Sequence, residues 1–133
     1  MENWDWRRRL ELLSEIESMV EEMNTTVDAI IVEGEHDREA LRSMGFRNPI
    51  LLCSQTKLSH TELSEYVAER FGNTVILTDF DAEGVNLNKE LRRRLELAGV
   101  KVENTYREKL GSFMKKLRVQ TLEGLMRVKT KTP

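Results

Sequence analysis

The sequence predicts an α/β fold: a doubly wound, mostly parallel four-stranded sheet with helices on both faces and an added N-terminal helix. Three observations predict it. Short apolar runs alternate along the chain with longer stretches of helical period. Gly45, Gly72 and Gly99 each close a helical stretch shortly before an apolar run. Two of those runs end in acids and lead directly into a helix, at Glu33 and at Asp79 and Asp81. Strands separated by helices of this length lie parallel, and their crossovers are right-handed.

Taken in order, residues 2–23 read as a helix. Trp6, Leu13 and Val20 recur every seven positions, with Leu10, Ile16 and Met23 beside them, which makes one apolar stripe. That stripe can cover the domain or meet another chain, as a protein partner or a homodimer. At about three heptads it is too short to establish a coiled coil. Trp4 and Trp6 read as packing anchors, and Arg7, Arg8 and Arg9 as a solvated face. Asn24-Thr25-Thr26 reads as a loop.

The first strand is expected over Val27 to Val32 and the next helix over Asp37 to Met44, with Gly45 in the left-handed position past its end. Pro49 precedes a second strand, Ile50 to Cys53. Ser59-His60-Thr61-Glu62 has the form of a capping box, opening a helix that reaches Phe71. The third strand, Thr74 to Thr78, leads to Asp79. A helix from Gly84 or Val85 to Ala98 carries Leu87, Leu91, Leu95 and Ala98 on one face. Val100 to Val102 read as the fourth strand. Lys109 to Arg118 is expected to be a short helix, and Gln120 to Met126 a turn or a last helix. The organisation expected is a helix over 1–24, one domain over 25–128 and a basic, frayed tail over 129–133.

The acids at the strand ends carry the chemistry. In extended chain, side chains two apart point the same way, so Asp79 and Asp81 can present two carboxylates together. Carboxylates that close repel unless a cation or proton sits between them. In an open parallel sheet, ligands bind outside the carboxyl ends of the strands, where Glu33 would join the two aspartates. Magnesium, with manganese as a substitute, takes oxygen ligands and commonly only one or two protein carboxylates. The plainer reading of Asp81 is a helix cap, and that of Asp37 is a carboxylate offsetting the dipole of its helix.

Glu33-Gly34-Glu35-His36-Asp37 after one apolar strand, and Asp79-Phe80-Asp81-Ala82-Glu83-Gly84 after a later one, resemble the signature of the Toprim family. The resemblance runs from about Val27 to Glu123 and is nearest to the small stand-alone Toprim proteins and the ribosomal-RNA maturase branch. It implies a Rossmann-like Toprim fold and magnesium-dependent phosphodiester chemistry on nucleic acid. It implies that Glu33 is the catalytic acid/base and sits at the metal, that Asp79 and Asp81 bind the metal, and that Gly34 and Gly84 let backbone approach the phosphate. Asp37 matches the second acid of the first motif. Glu83 adds an acid at a variable position, as an outer ligand or a solvated side chain. His36, Glu35 and His60 carry no role.

Charge places the partners. The net charge is −2. From residue 107 onward eight Lys and Arg face two acids, an excess of six positive charges, so residues 1–106 carry an excess of eight negative. An acidic body suits cations, and Lys115, Lys116 and Arg118 in the basic end are candidates for phosphate contact. One cysteine, Cys53, excludes an intrachain disulfide and a cysteine zinc cluster, and reads as a buried thiol. No apolar stretch has the length to cross a membrane, and the charged N-terminus is unlike a signal peptide, so a cytoplasmic protein is expected.

The leading expectation is a nuclease or RNA-processing protein. The alternative is a metal- and nucleic-acid-binding adaptor without turnover, inside a larger replication, repair or RNA-processing complex. A topoisomerase would need a tyrosine nucleophile on a separate domain, and Tyr66 and Tyr106 do not offer one. A receiver domain would need a lysine at a late strand end, where Lys101 and Lys109 are poor candidates.

Overall fold

β-branched and apolar runs form the strands and amphipathic stretches wrap them. The computed structural model describes residues 3–54 and 56–132, with side chains from residue 6 onward. The Trp4 side chain, expected as an anchor, lies outside the described residues. The elements in order are α1 (Asn3–Thr26), β1 (Ala29–Val32), α2 (Glu35–Ser43), β2 (Ile50–Leu52), α3 (His60–Arg70), β3 (Asn73–Ile76), α4 (Ala82–Leu97), β4 (Lys101–Val102), α5 (Thr105–Leu117) and α6 (Leu122–Lys131). The strands form one sheet in the order β2-β1-β3-β4. Every pairing is parallel, and Ile31 lies between Leu51 on one side and Ile76 on the other.

The pleat sends alternate residues to opposite faces. Ile30, Val32, Ile50, Leu52, Val75 and Leu77 enter a core closed by α1, α2, α5 and α6. Ile31, Cys53 and Ile76 enter a second core, with Leu63 and Val67 of α3 and Leu91 and Leu95 of α4. Each fully buried aliphatic side chain contributes about 1.5–3 kcal/mol. The sheet is therefore α/β and doubly wound, as expected. No helix among the described residues is long and apolar enough to cross a membrane.

Three expectations need correction. The first helix does not stop before Asn24. The Thr25 and Thr26 hydroxyls donate to the Glu22 carbonyl at 2.9 and 3.3 Å, and Val27 N–H donates to Met23 O at 2.8 Å, so the helix continues through the expected loop. The helix expected over Lys109 to Arg118 begins earlier, at Thr105. Of the two places open to the stripe of α1, the structure shows the domain: Leu13, Ile16, Val20 and Met23 are buried in the first core, while Leu10 is exposed. The tail is also helical to Lys131. Lys129 Nζ donates to Glu17 Oε2 of α1 at 2.9 Å and to Ser43 O of α2 at 3.4 Å, which joins the last helix to two others.

Three helix ends follow the expected chemistry closely. Ser59 and Glu62 form the reciprocal capping box, with Glu62 N–H on Ser59 Oγ at 3.1 Å and Ser59 N–H on Glu62 Oε1 at 2.9 Å. Gly45 and Gly99 take positive φ, 102° and 88°, where a side chain would be strained.

Candidate functional site

The order β2-β1-β3-β4 puts the topological switch between β1 and β3, because the chain leaves β1 toward β2 on one side and later enters β3 on the other. Doubly wound sheets bind ligands in the crevice at that switch. Glu33 directly follows β1, and Asp79 and Asp81 follow β3. Glu33 Oε2 accepts the backbone N–H of Asp79 at 2.7 Å, so the two acidic strand ends meet.

Each neighbouring carboxylate has a local job as well. Asp81 is the N-cap of α4, and its Oδ1 accepts Gly84 N–H at 2.8 Å. The plainer reading of Asp81 thus holds, and the second oxygen of the carboxylate is not part of that cap. Asp37 is buried, at 8% exposure, and accepts Gly34 N–H at 3.2 Å. It stands in the first turn of α2, where the plainer reading put it, and is buried there.

Crowding shows in the electrostatics. Burial pushes the Asp79 carboxyl up to about 7, and the carboxylates of Glu33, Asp37 and Asp81 push it in the same direction. Asp37 is also raised, first by burial; the Gly34 N–H opposes this, while Glu33 and Glu123 add to it. Glu123, in the first turn of α6, therefore feels the rim. Sequence reasoning gave Glu123 no role, since nothing in its local pattern tells that α6 returns to α2.

Among the described residues, no group of three or more His, Cys, Asp or Glu side chains is arranged to hold a metal ion jointly. Glu33 and Asp81 each have an oxygen engaged by a backbone N–H. The donor set nevertheless fits magnesium or manganese in kind: hard carboxylate oxygens, drawn from a crowded pair, for an ion that keeps several waters.

The motif glycines differ from each other. A Cβ on Gly84 would overlap the Asp79 carbonyl, and the Thr78 hydroxyl donates to Gly84 O at 2.7 Å. Gly84 is therefore demanded by the chain's own close packing. Gly34 has extended backbone, φ −143° and ψ −178°, and a Cβ there would have only Ser54 Oγ near it, at 4.0 Å. Neither backbone strain nor crowding within the chain accounts for a glycine at 34.

Sequence reasoning missed Arg107, counting it only within the basic excess. It is buried at 7% exposure, and its guanidinium donates to Ile76 O, Thr78 O and Asp79 O at 3.1, 2.9 and 3.1 Å. Burial lowers its pKa to about 10, with Glu33 and Asp79 acting in the opposite direction, so it remains a cation at neutral pH. No sequence signal marks it, because the partners that hold it are chiefly backbone carbonyls of a distant segment.

Lys115, Lys116 and Arg118 are exposed at the end of α5. The chain turns there through Arg118, at φ 59°, and Gln120 O accepts Phe80 N–H at 2.7 Å. The segment after α5, at Gln120, thus adjoins the acid loop. Glu83 is exposed, Glu35 pairs with Arg38, and His36 and His60 face Glu39 and Glu90 at 3.7 and 3.3 Å. Cys53 is buried and its thiol is raised to about 11, chiefly by burial.

No family model matches this chain. The UPF0292 protein of Thermococcus onnurineus is 37% identical over 100 residues, covering 75% of this chain and 73% of that one. The UPF0292 protein of Pyrococcus horikoshii is 34% identical over 107 residues, covering 80% and 79%. A solved structure of a protein from Aquifex aeolicus matches with a TM-score of 0.66 at 22% identity, over 84% of this chain and 95% of that one, a likeness of fold.

Proposed function

The chain belongs to the UPF0292 family, and we propose that its acid rim performs magnesium-dependent phosphodiester chemistry on nucleic acid, as a Toprim-type nuclease or RNA-processing protein. One observation carries the reading: Glu33 Oε2 accepts the Asp79 N–H at 2.7 Å, which brings the two acidic strand ends together at the switch between β1 and β3, where burial first and then Glu33, Asp37 and Asp81 raise the Asp79 carboxyl. Such crowding is relieved by a divalent cation, and clusters of this kind concentrate at functional sites. Asp79 and Asp81 would hold the ion, with Glu33 beside it. When bound, magnesium supplies charge stabilisation to a phosphodiester oxygen.

The chain's own residues do the rest. Glu33 moves a proton at the attacking or leaving oxygen while its Oε2 stays oriented by the Asp79 N–H. Gly34 leaves open space through which a phosphate can approach backbone. Lys115, Lys116 and Arg118 attract the nucleic-acid backbone near the loop.

A second reading, a non-catalytic adaptor that binds metal and nucleic acid, is favoured by the exposed basic side chains of Lys115, Lys116 and Arg118 at the end of α5. One experiment tests both. Radiolabelled structured RNA and DNA are incubated with the protein and magnesium or manganese, and manganese uptake is measured by calorimetry. Cleavage with uptake supports the nuclease. Salt-sensitive binding and uptake without cleavage support the adaptor. Absence of uptake defeats both.

A further inference from the structure

We propose that Arg107 is a positioning residue whose guanidinium stands in for a neighbouring strand along the open edge of β3, and so fixes the loop that carries Asp79 and Asp81. The sheet leaves that edge short. β4 pairs with β3 only at Asn73 with Lys101 and Thr74 with Val102, and the last ladder bond is Glu103 N–H to Thr74 O at 2.8 Å.

Beyond Thr74 the backbone continues extended, and alternate carbonyls face the same side. On the β1 side the ladder persists, with Leu77 N–H on Ile31 O at 2.8 Å. On the β4 side, Ile76 O and Thr78 O follow Thr74 O. Arg107 Nη1 donates to both, at 3.1 and 2.9 Å, and Nη2 reaches Asp79 O at 3.1 Å. A planar fork can serve three carbonyls from one position, which a lysine ammonium on a flexible stem does poorly.

The same side chain also grips the middle of the loop. The Arg107 guanidinium carbon lies 4.3 Å from the centroid of the Phe80 ring. One turn further along α5, a Cβ on Gly111 would stand 3.1 Å from Phe80 Cε2, so the ring rests against bare helix backbone. Phe80 N–H is held by Gln120 O at 2.7 Å, past the end of α5. Phe80, between the two aspartates, is thus seated from three directions by α5 and the segment after it. The spacing of Asp79 and Asp81 follows from that seat, whatever the rim binds.

The test is amide hydrogen exchange on the full chain. Arg107→Lys is expected to lower protection of the Asp79 and Phe80 amides at least tenfold, while Ile30 and Ile31 in β1 keep theirs. Arg107→Ala is expected to behave the same way, and millimolar ethylguanidinium should restore protection at Asp79 and Phe80. Unchanged protection at those two amides in Arg107→Lys would overturn the inference. So would a uniform loss across the sheet with no response to ethylguanidinium. Should neither variant fold, Gly111→Ala decides: displacement of the Phe80 ring should deprotect Phe80 selectively, and full protection there refutes the seat. Manganese uptake by the wild type is a separate measurement, so the proposed function can fail while this inference stands.

Discussion

Glu33 and Asp79, 46 residues apart, are joined by a hydrogen bond from the Asp79 N–H to Glu33 Oε2 at 2.7 Å. Glutamine at 33 keeps an oxygen acceptor for that N–H and removes the charge. Glu33→Gln is therefore expected to melt at or above the wild-type temperature and to bind RNA as well. Its magnesium-dependent cleavage should fall by about 10²–10⁴, the usual contribution of a general acid or base. Wild-type cleavage rates in single-turnover assays would remove Glu33 from the mechanism.

The Asp79 carboxyl gives a pH prediction. Its folded value, about 7, lies above the ordinary value of 3.8. Between those pH values the folded state holds a proton that the unfolded state has released. Stability linked to this group is present at the acid end and is lost as pH rises through 7. In chelator-treated buffer, Asp79→Asn should decline less from pH 5 to pH 8 than the wild type, as read by melting temperature. Parallel declines would contradict the crowding.

Gly34 and Gly84 should respond oppositely to alanine. Gly84→Ala forces the start of α4 away from the Asp79 carbonyl and is expected to cost about 1–3 kcal/mol, as overpacking does. Gly34→Ala enters open space, so its stability should stay within about 0.5 kcal/mol of wild type. Its nucleic-acid turnover should drop if phosphate approaches there. Urea titration and cleavage assays on the two variants separate these effects.

Alanine at Lys115, Lys116 and Arg118 together is expected to weaken RNA binding without changing stability. For a single strand, the slope of log affinity against log salt should shrink by about 0.7 for each phosphate that is no longer neutralised. An unchanged slope means that another surface meets the backbone.

Lys129→Met removes the ion pair to Glu17 and the hydrogen bond to Ser43 O. Half-exposed pairs contribute about 0.2–1 kcal/mol, so a small fall in the denaturation midpoint is expected. Lys131→Met should leave the midpoint unmoved.

Much of this was legible in the chain because local patterns carried it. Ile30 and Ile31 face opposite cores as their alternation requires, and the Ser59 box capped α3 as its spacing suggested. Glu33, Asp79 and Asp81 stood out because each adjoins a strand end. Past residue 103 the signal weakened. β4 is only two residues long, so no long apolar run announced where α5 would lie. Arg107 and Glu123 reach the rim through that later packing, and their neighbours in sequence say nothing of it. The threonines at 25 and 26 misled for another reason: they resemble a loop in isolation, yet their hydroxyls fold back on Glu22.

Leu13 and Leu125 belong to one core, so α1 and α6, far apart in sequence, close the same layer. A chain that reaches only to β4 has the α3 and α4 side of its sheet finished and the other side covered by α1 and α2 alone, without Leu110, Met114, Leu122 and Leu125. That layer closes only with α5 and α6. Chaperone capture should therefore persist until α5 and α6 have packed, and deleting α6 with its buried Leu122 and Leu125 should harm solubility as deleting α1 does.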